Sequence, residues 1–132
     1  MSTFVDTSAF LAVLDADDAN HAATKATWEQ LVRDGGDLVC TSYVLVESFA
    51  LIQNRLGVDA VRAFHESVVP FLYIEWIDAH RHASSVAALL TAARRNLSLV
   101  DCSSFDAMRR LGITTVFTFD HHFAEQGFAC IP

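Results

Sequence analysis

The sequence is poor in lysine, proline and cysteine, and these shortages exclude several classes of protein. Its only lysine, Lys25, lies early in the chain, and no GxxxxGK[ST] phosphate-binding loop occurs, so an NTPase is excluded. Cys40, Cys102 and Cys130 are far apart and form no CxxC pair, which argues against a thiolate zinc site or a redox pair. We expect these thiols to be reduced and mostly buried. The GxSxG nucleophile elbow is also absent.

Long apolar runs and positive charge are scarce as well. The nearest approach to a membrane span, residues 68–77, is interrupted by Pro70 and Glu75 and falls short of the roughly 18 residues required. Residues 1–6 lack the basic start of a secretory signal, so we expect a cytoplasmic protein with no membrane segment. The chain carries 9 Lys and Arg against 16 Asp and Glu. Proteins that hold nucleic acid by charge alone are usually basic, so phosphate binding here would need another source of charge, such as metal cations.

Short apolar runs alternate with segments of helical spacing along the whole chain. The predicted strands are residues 3–5, 38–40, 71–77, 114–119 and 128–131. The predicted helices are residues 8–14, 21–32, 41–56 or 42–56, 58–69, 78–95 and 98–111. No linker or repeat divides the sequence, so residues 1–132 are predicted to form a single domain. Strands separated by helices indicate the α/β class, here a three-layer sandwich with a mainly parallel central sheet of four to five strands.

Four acidic side chains stand where such a sheet would bring them together. Asp6 directly follows the first strand, and Asp120 directly follows the strand at 114–119. Asp101 lies in the first turn of the helix at 98–111, and Glu47 lies near the start of the helix after the second strand. Parallel strands end at one edge of the sheet, and the helices that follow them begin there. The four carboxylates are therefore predicted to form one cluster.

Three of these acids also have a plain structural explanation. Asp6 and Asp120 could cap the helices that follow them, and Ser98 with Asp101 matches a capping-box variant. Glu47 instead lies in an otherwise apolar helix start with no lysine or arginine within a helical turn, and an unpaired buried charge is costly. Crowded carboxylates raise one another's pKa values unless a cation neutralises them. The pattern predicts an oxygen-rich Mg²⁺ or Mn²⁺ site that hydrolyses phosphodiester bonds.

The adjacent histidines His121 and His122 are a second candidate for metal ligation. Neighbouring side chains point about 100° apart in a helix and to opposite faces in a strand, so one ion rarely takes both. We therefore expect this pair to have a loop or structural role.

The ordered set of acidic motifs resembles PIN-domain nucleases over the whole chain. The segment VDTSAF at 5–10 resembles the opening of these enzymes, and VE at 46–47 resembles their second motif. LSLVDCSSF at 97–105 and TFDHHF at 118–123 resemble the third and fourth motifs. Size and context resemble the VapC-type ribonuclease toxins of bacterial toxin–antitoxin pairs.

The resemblance implies a PIN-like fold and a Mg²⁺-dependent endoribonuclease. Asp6 and Asp101 would be the principal metal ligands, and Glu47 and Asp120 would complete the catalytic cluster. Water would attack in line and leave 5′-phosphate and 3′-hydroxyl ends. The resemblance also implies an RNA substrate, a homodimer and a cognate antitoxin protein that covers the site.

The resemblance also points to two hydroxyl residues as weaker candidates for the site. Thr7 and Ser103 stand where such enzymes often place a polar helper, and both also suit helix starts.

A housekeeping RNA-processing nuclease would carry the same acids, whereas a catalytically silent binding module of this fold would have lost them. Receiver domains and haloacid-dehalogenase-like phosphatases also set Asp at strand ends, but both are known for a lysine late in the chain. The phosphatases also require a carboxylate two residues after the first Asp, where this chain has Ser8.

Overall fold

The centre of the molecule is a sheet of five parallel strands. The structure is a computed structural model that describes residues 1–132. The strands are β1 (Thr3–Val5), β2 (Leu38–Thr41), β3 (Leu72–Glu75), β4 (Thr115–Phe117) and β5 (Ala129–Ile131). Their order across the sheet is β3-β2-β1-β4-β5, and every neighbouring pair is parallel. The predicted α/β class with a parallel central sheet is confirmed.

Seven helices connect the strands and cover the sheet. They are α1 (Thr7–Leu14), α2 (His21–Asp34), α3 (Ser42–Leu56), α4 (Val58–Ala63), α5 (Ala79–Ala92), α6 (Leu99–Leu111) and α7 (His122–Glu125). Because crossovers between parallel strands are right-handed, α1 to α4 lie on one face while the chain moves from β1 to the β3 edge. The chain then returns across the sheet to β5, which places α5 to α7 on the other face. None of these helices has the length and apolar character needed to cross a bilayer.

Aromatic side chains fix the helices to the sheet. Phe10 of α1 is almost fully buried and meets Phe64 and Trp28 edge to face, with ring centroids 5.1 and 6.4 Å apart. On the opposite side, Phe123 packs edge to face against Phe105 of α6 at 5.0 Å. This contact anchors the four-residue helix α7, which is too short to be stable alone, and so fixes the segment that follows β4.

The segment between α4 and β3 differs from the predicted helix at 58–69. Regular α-helix ends at Ala63, a π-helical turn covers Phe64–Val68, and a 3₁₀ turn covers Val69–Phe71. Pro70 has no N–H and cannot continue an α-helix. The wider turn also buries the side chains at both of its ends.

Two strands are shorter than predicted, and one of them changes the position of a candidate residue. The strand predicted at 71–77 covers Leu72–Glu75, and the one predicted at 114–119 covers Thr115–Phe117. Thr118 and Phe119 therefore stand between the end of β4 and Asp120. The three cysteines are free, and only Cys130 is exposed, which confirms that they are mostly buried.

The direction of the chain reverses beside β1, which has β2 on one side and β4 on the other. In open α/β sheets, ligand sites form at the carboxyl ends of strands next to such a reversal. Asp6 is the first residue after β1, and its N–H donates to the Phe117 carbonyl of β4 at 3.0 Å. The topology therefore places Asp6 at the crevice between β1 and β4.

Candidate active site

Asp6 is a buried carboxylate at the N-terminus of α1, with only 5% of its surface exposed. It has extended backbone and caps the helix, because its Oδ2 accepts the Ser8 N–H at 3.4 Å. The same oxygen accepts hydrogen bonds from the Ser8 hydroxyl at 2.8 Å and the Thr118 hydroxyl at 3.0 Å. The predicted capping role is therefore confirmed, and it holds the carboxylate at the edge of the sheet.

Burial raises the pKa of Asp6 to about 6. Hydrogen bonds from Ser8 and Thr118 oppose that rise, and the negative charge of Asp101 adds to it. No lysine or arginine forms an ion pair with Asp6. At neutral pH the carboxylate is therefore mostly ionised, but its charge is less favourable in the fold than it would be in water.

Asp101 is held by the capping box that the sequence predicts at the start of α6. Ser98 Oγ accepts the Asp101 N–H at 3.0 Å, and Asp101 Oδ2 accepts the Ser98 N–H at 3.1 Å. Burial raises the pKa of Asp101, the hydrogen bonds from Ser98 lower it, the charge of Asp120 raises it and His122 lowers it. Asp101 is thus electrostatically linked to Asp6 on one side and to Asp120 and His122 on the other.

Asp120 is half-buried in the turn between β4 and α7. Its N–H donates to the Thr118 hydroxyl at 2.9 Å, and its Oδ1 accepts the His122 N–H at 2.9 Å. The same Oδ1 lies 2.7 Å from His122 Nδ1, although the two atoms are not aligned for a hydrogen bond. Asp120 therefore organises the start of α7 from just outside the helix.

His121 and His122 do not diverge as the sequence analysis expected. Their ring centroids lie 4.4 Å apart, because both side chains turn back towards Asp120 Oδ1 in the preceding turn. The 100° rule describes where side chains leave a regular helix, and His121 precedes the first residue of α7, so the rule does not cover this pair.

Glu47 is half-buried in the second turn of α3. No lysine, arginine or histidine forms an ion pair with it. The charges of Asp6, Asp101 and Asp120 act on one another, and Glu47 stays a predicted member of the same cluster.

The two weaker candidates, Thr7 and Ser103, are both buried but differ in their surroundings. Thr7 Oγ1 hydrogen-bonds with Ser48 Oγ at 3.2 Å, so its hydroxyl joins α1 to α3. Ser103 Oγ has no hydrogen-bond partner. A buried unpaired hydroxyl is unfavourable, so Ser103 is the one of the two that leaves a polar atom unsatisfied.

Two hydroxyl groups that the sequence analysis did not select, on Ser8 and Thr118, join the first and fourth acidic motifs. Both donate to Asp6 Oδ2. Ser8 Oγ also accepts the Phe119 N–H at 2.9 Å, and Thr118 Oγ1 accepts the Asp120 N–H. The available signal was a hydroxyl residue two positions after Asp6 and another two positions before Asp120, a spacing typical of local side-chain-to-backbone turns.

The fold, the buried acids beside β1 and the order of the motifs agree with one family, whose model, the PIN domain, matches residues 3–129. The chain belongs to the PIN-domain family. It is 33% identical to the 23S rRNA-specific endonuclease VapC20 of Mycobacterium tuberculosis over 127 aligned residues. The alignment covers 95% of this chain and 94% of VapC20. The resemblance and the PIN-like fold expected from the sequence are confirmed.

Solved structures agree with this assignment. The crystal structure of Mycobacterium tuberculosis VapC20, described as a Sarcin-Ricin loop cleaving toxin, aligns with a TM-score of 0.85, 30% identity and 96% coverage of both chains. FitAcB from Neisseria gonorrhoeae aligns with a TM-score of 0.69 over 100% of this chain and 97% of its own. At 16% identity, this second match supports the fold alone.

We expect Asp6→Asn to stabilise the metal-free protein at about pH 7.5. The pKa of Asp6 is about 6 in the fold and near 3.9 in the unfolded chain, so its stability contribution is fully present below about pH 4 and is lost as pH rises through 6. Asparagine keeps the shape without the charge, so the free energy of unfolding should rise by roughly 1–3 kcal/mol at about pH 7.5. The gain should shrink as the pH is lowered towards 4. Urea unfolding at several pH values, in the presence of a chelator, measures this gain in the free energy of unfolding.

Asp17→Asn is the matched control, because Asp17 is exposed and its side chain makes no hydrogen bond or ion pair. It should leave the free energy of unfolding nearly unchanged at every pH. A loss of stability in Asp6→Asn at neutral pH would contradict the assignment of Asp6 as an unfavourably buried charge.

Thr118→Val should raise the pKa of Asp6, because it removes a hydrogen bond that stabilises the charged form. One hydrogen bond to a charged group corresponds to a shift of about one pH unit. Carboxyl-carbon NMR titration reports this pKa directly. Thr118→Ser keeps the hydroxyl and should titrate like the unmodified protein, whereas equal titration of Val and Ser variants would show that the Thr118 hydroxyl does not position Asp6.

Proposed function

We propose that this protein is a metal-dependent endoribonuclease and the toxin of a toxin–antitoxin pair. The observation that carries the proposal is the group of Asp6, Asp101 and Asp120 beside β1 and β4. Asp6 and Asp101 are buried and have raised pKa values. No lysine or arginine forms an ion pair with any of the three acids. The VapC20 relative, which spans nearly the whole chain, is an endonuclease specific for 23S rRNA.

The donor set fits a hard divalent cation. Carboxylate oxygens suit Mg²⁺ and also Mn²⁺, and Asp6 and Asp101 would hold the ion. Its positive charge would offset the burial that raises both pKa values, and the unpaired Ser103 hydroxyl leaves a further oxygen in the same helix as Asp101. When bound, such an ion would supply an activated water and charge stabilisation for the phosphate.

The side chains around these acids hold them in place for that role. Ser8 and Thr118 orient Asp6, and the Ser98 capping box orients Asp101. The Thr118 hydroxyl also receives the Asp120 N–H, so one residue fixes two acids. Groups fixed in this way need no rearrangement when the substrate binds, which favours catalysis.

The remaining assignments follow from the same proposal. Glu47 and Asp120 would complete the catalytic cluster, with Thr7 and Ser103 as weaker polar helpers. Water would attack the phosphodiester in line and leave 5′-phosphate and 3′-hydroxyl ends. We propose a cytoplasmic homodimer, a cognate antitoxin that covers the acids, and ribosomal RNA as the first substrate to examine, because that is the substrate of VapC20.

RNA cleavage in Mg²⁺ should fall by at least about 100-fold in Asp6→Asn and in Asp101→Asn, because each change removes a metal ligand. A chelator should abolish cleavage by the unmodified protein, and added Mg²⁺ should restore it. The matched control Asp17→Asn should cleave normally. Gel analysis of labelled RNA measures the rates. Undiminished cleavage by both Asn variants would contradict a catalytic role for these acids.

Sequencing of RNA 5′ ends after induced expression separates the toxin from the other functions of this fold. A toxin should arrest growth and produce one dominant new 5′-phosphate end, and co-expression of its antitoxin should prevent both effects. Trimming of precursor RNA without growth arrest would favour a housekeeping nuclease. The absence of new ends with RNA binding intact would favour a silent binding module.

A further inference from the structure

Asp120, His121 and His122 form a cluster that the proposed nuclease mechanism does not use as a unit. One ligand atom from each residue lies within 4.8 Å of one from each of the others. Asp120 Oδ1 is 2.7 Å from His122 Nδ1 and 3.9 Å from His121 Nδ1. In a tetrahedral site with bonds of about 2.1 Å, ligand atoms lie about 3.4 Å apart. The two measured separations lie on either side of that spacing.

His122 supplies an independent observation. The residue is only 5% exposed, and neither ring nitrogen has a hydrogen-bond partner. A buried polar group without a partner is unfavourable, and buried histidines normally satisfy at least one nitrogen. His122 therefore presents an unsatisfied imidazole beside the Asp120 carboxylate.

The surroundings of His121 match those of a metal ligand. Its Nε2 lies 3.6 Å from Glu125 Oε1, and Glu125 is itself held by Arg94 at 2.9 Å. Metal-bound histidines usually donate their second ring N–H to a carboxylate, which fixes the ring and its tautomer. His121 points Nδ1 towards Asp120 and Nε2 towards Glu125, which is the orientation that this arrangement requires, and the 3.6 Å gap to Glu125 would close to a hydrogen bond when the ion binds.

We propose that Asp120, His121 and His122 bind a transition-metal ion of the Zn²⁺ type. Two imidazoles and one carboxylate prefer Zn²⁺, Co²⁺ or Ni²⁺ over Mg²⁺, which favours oxygen ligands alone. This site is separate from the ion that Asp6 and Asp101 would hold, although both adjoin Asp120. The proposal of this second site rests on the geometry of its three ligands and not on the proposed RNA cleavage.

The test is Zn²⁺ titration of untagged protein by calorimetry, repeated with Co²⁺ and its visible absorption. Cys130 is an exposed free thiol, and thiolates bind Zn²⁺, so all titrations use a Cys130→Ser background. Excess Mg²⁺ is present throughout to occupy oxygen-only sites. We expect one tightly bound Zn²⁺ per chain.

Four variants separate this site from the acidic cluster. His121→Ala, which changes an exposed residue, and His122→Gln should each lower Zn²⁺ affinity at least about tenfold. His80→Ala, an exposed histidine in another helix, should bind Zn²⁺ normally, and so should Asp6→Asn. Thermal unfolding checks that His122→Gln is folded.

The proposal is overturned if His121→Ala and folded His122→Gln bind Zn²⁺ as tightly as the parent protein. It is equally overturned if Asp6→Asn loses the Zn²⁺, because the ion would then belong to the acidic cluster. Because RNA cleavage is measured separately in Mg²⁺, a failure of the nuclease proposal would leave the Zn²⁺ result intact.

Discussion

The burial of the Asp6 carboxylate beside β1 is the constraint on which the rest of the site depends. A charge with 5% exposure and no basic partner is unfavourable, and three donors on Ser8 and Thr118 only partly compensate for it. Two further acids, Asp101 and Asp120, lie close enough to extend the negative field. A divalent cation would neutralise this buried negative charge and stabilise the fold when bound. Metal affinity and the free energy of unfolding are therefore linked.

The same hydrogen bonds that build the helix starts also build the site. Asp6 caps α1, Asp101 completes the capping box of α6, and Asp120 receives an N–H at the start of α7. Capping and convergence at the sheet edge are therefore not competing explanations. Helix starts cluster at this edge because all the strands are parallel, and residues suited to capping are also suited to hold a hard cation.

Periodicity and the positions of the acids in the sequence were sufficient to predict the class of fold, nearly all of the elements and the sheet edge where the acids lie. They could not give the strand order, which depends on how helices pack across the sheet, or the wide turn before β3, which depends on the burial of Phe64 and Val68. The hydroxyl links of Ser8 and Thr118 join residues about 110 positions apart and have no local signal beyond their spacing from an acid. The pairing of His121 with His122 was missed because both rings turn towards Asp120, a contact that the helical spacing rule does not predict.

The central claim is that the buried acids beside β1 and β4 hold a divalent cation. Anomalous diffraction from crystals grown with Mn²⁺ tests it most directly, because the method locates the ion without assuming any activity. We expect a peak bound by the carboxylates of Asp6 and Asp101, and no peak there in the Asp6→Asn protein. A structure in which Mn²⁺ is bound elsewhere and these two carboxylates contact no ion would contradict the claim.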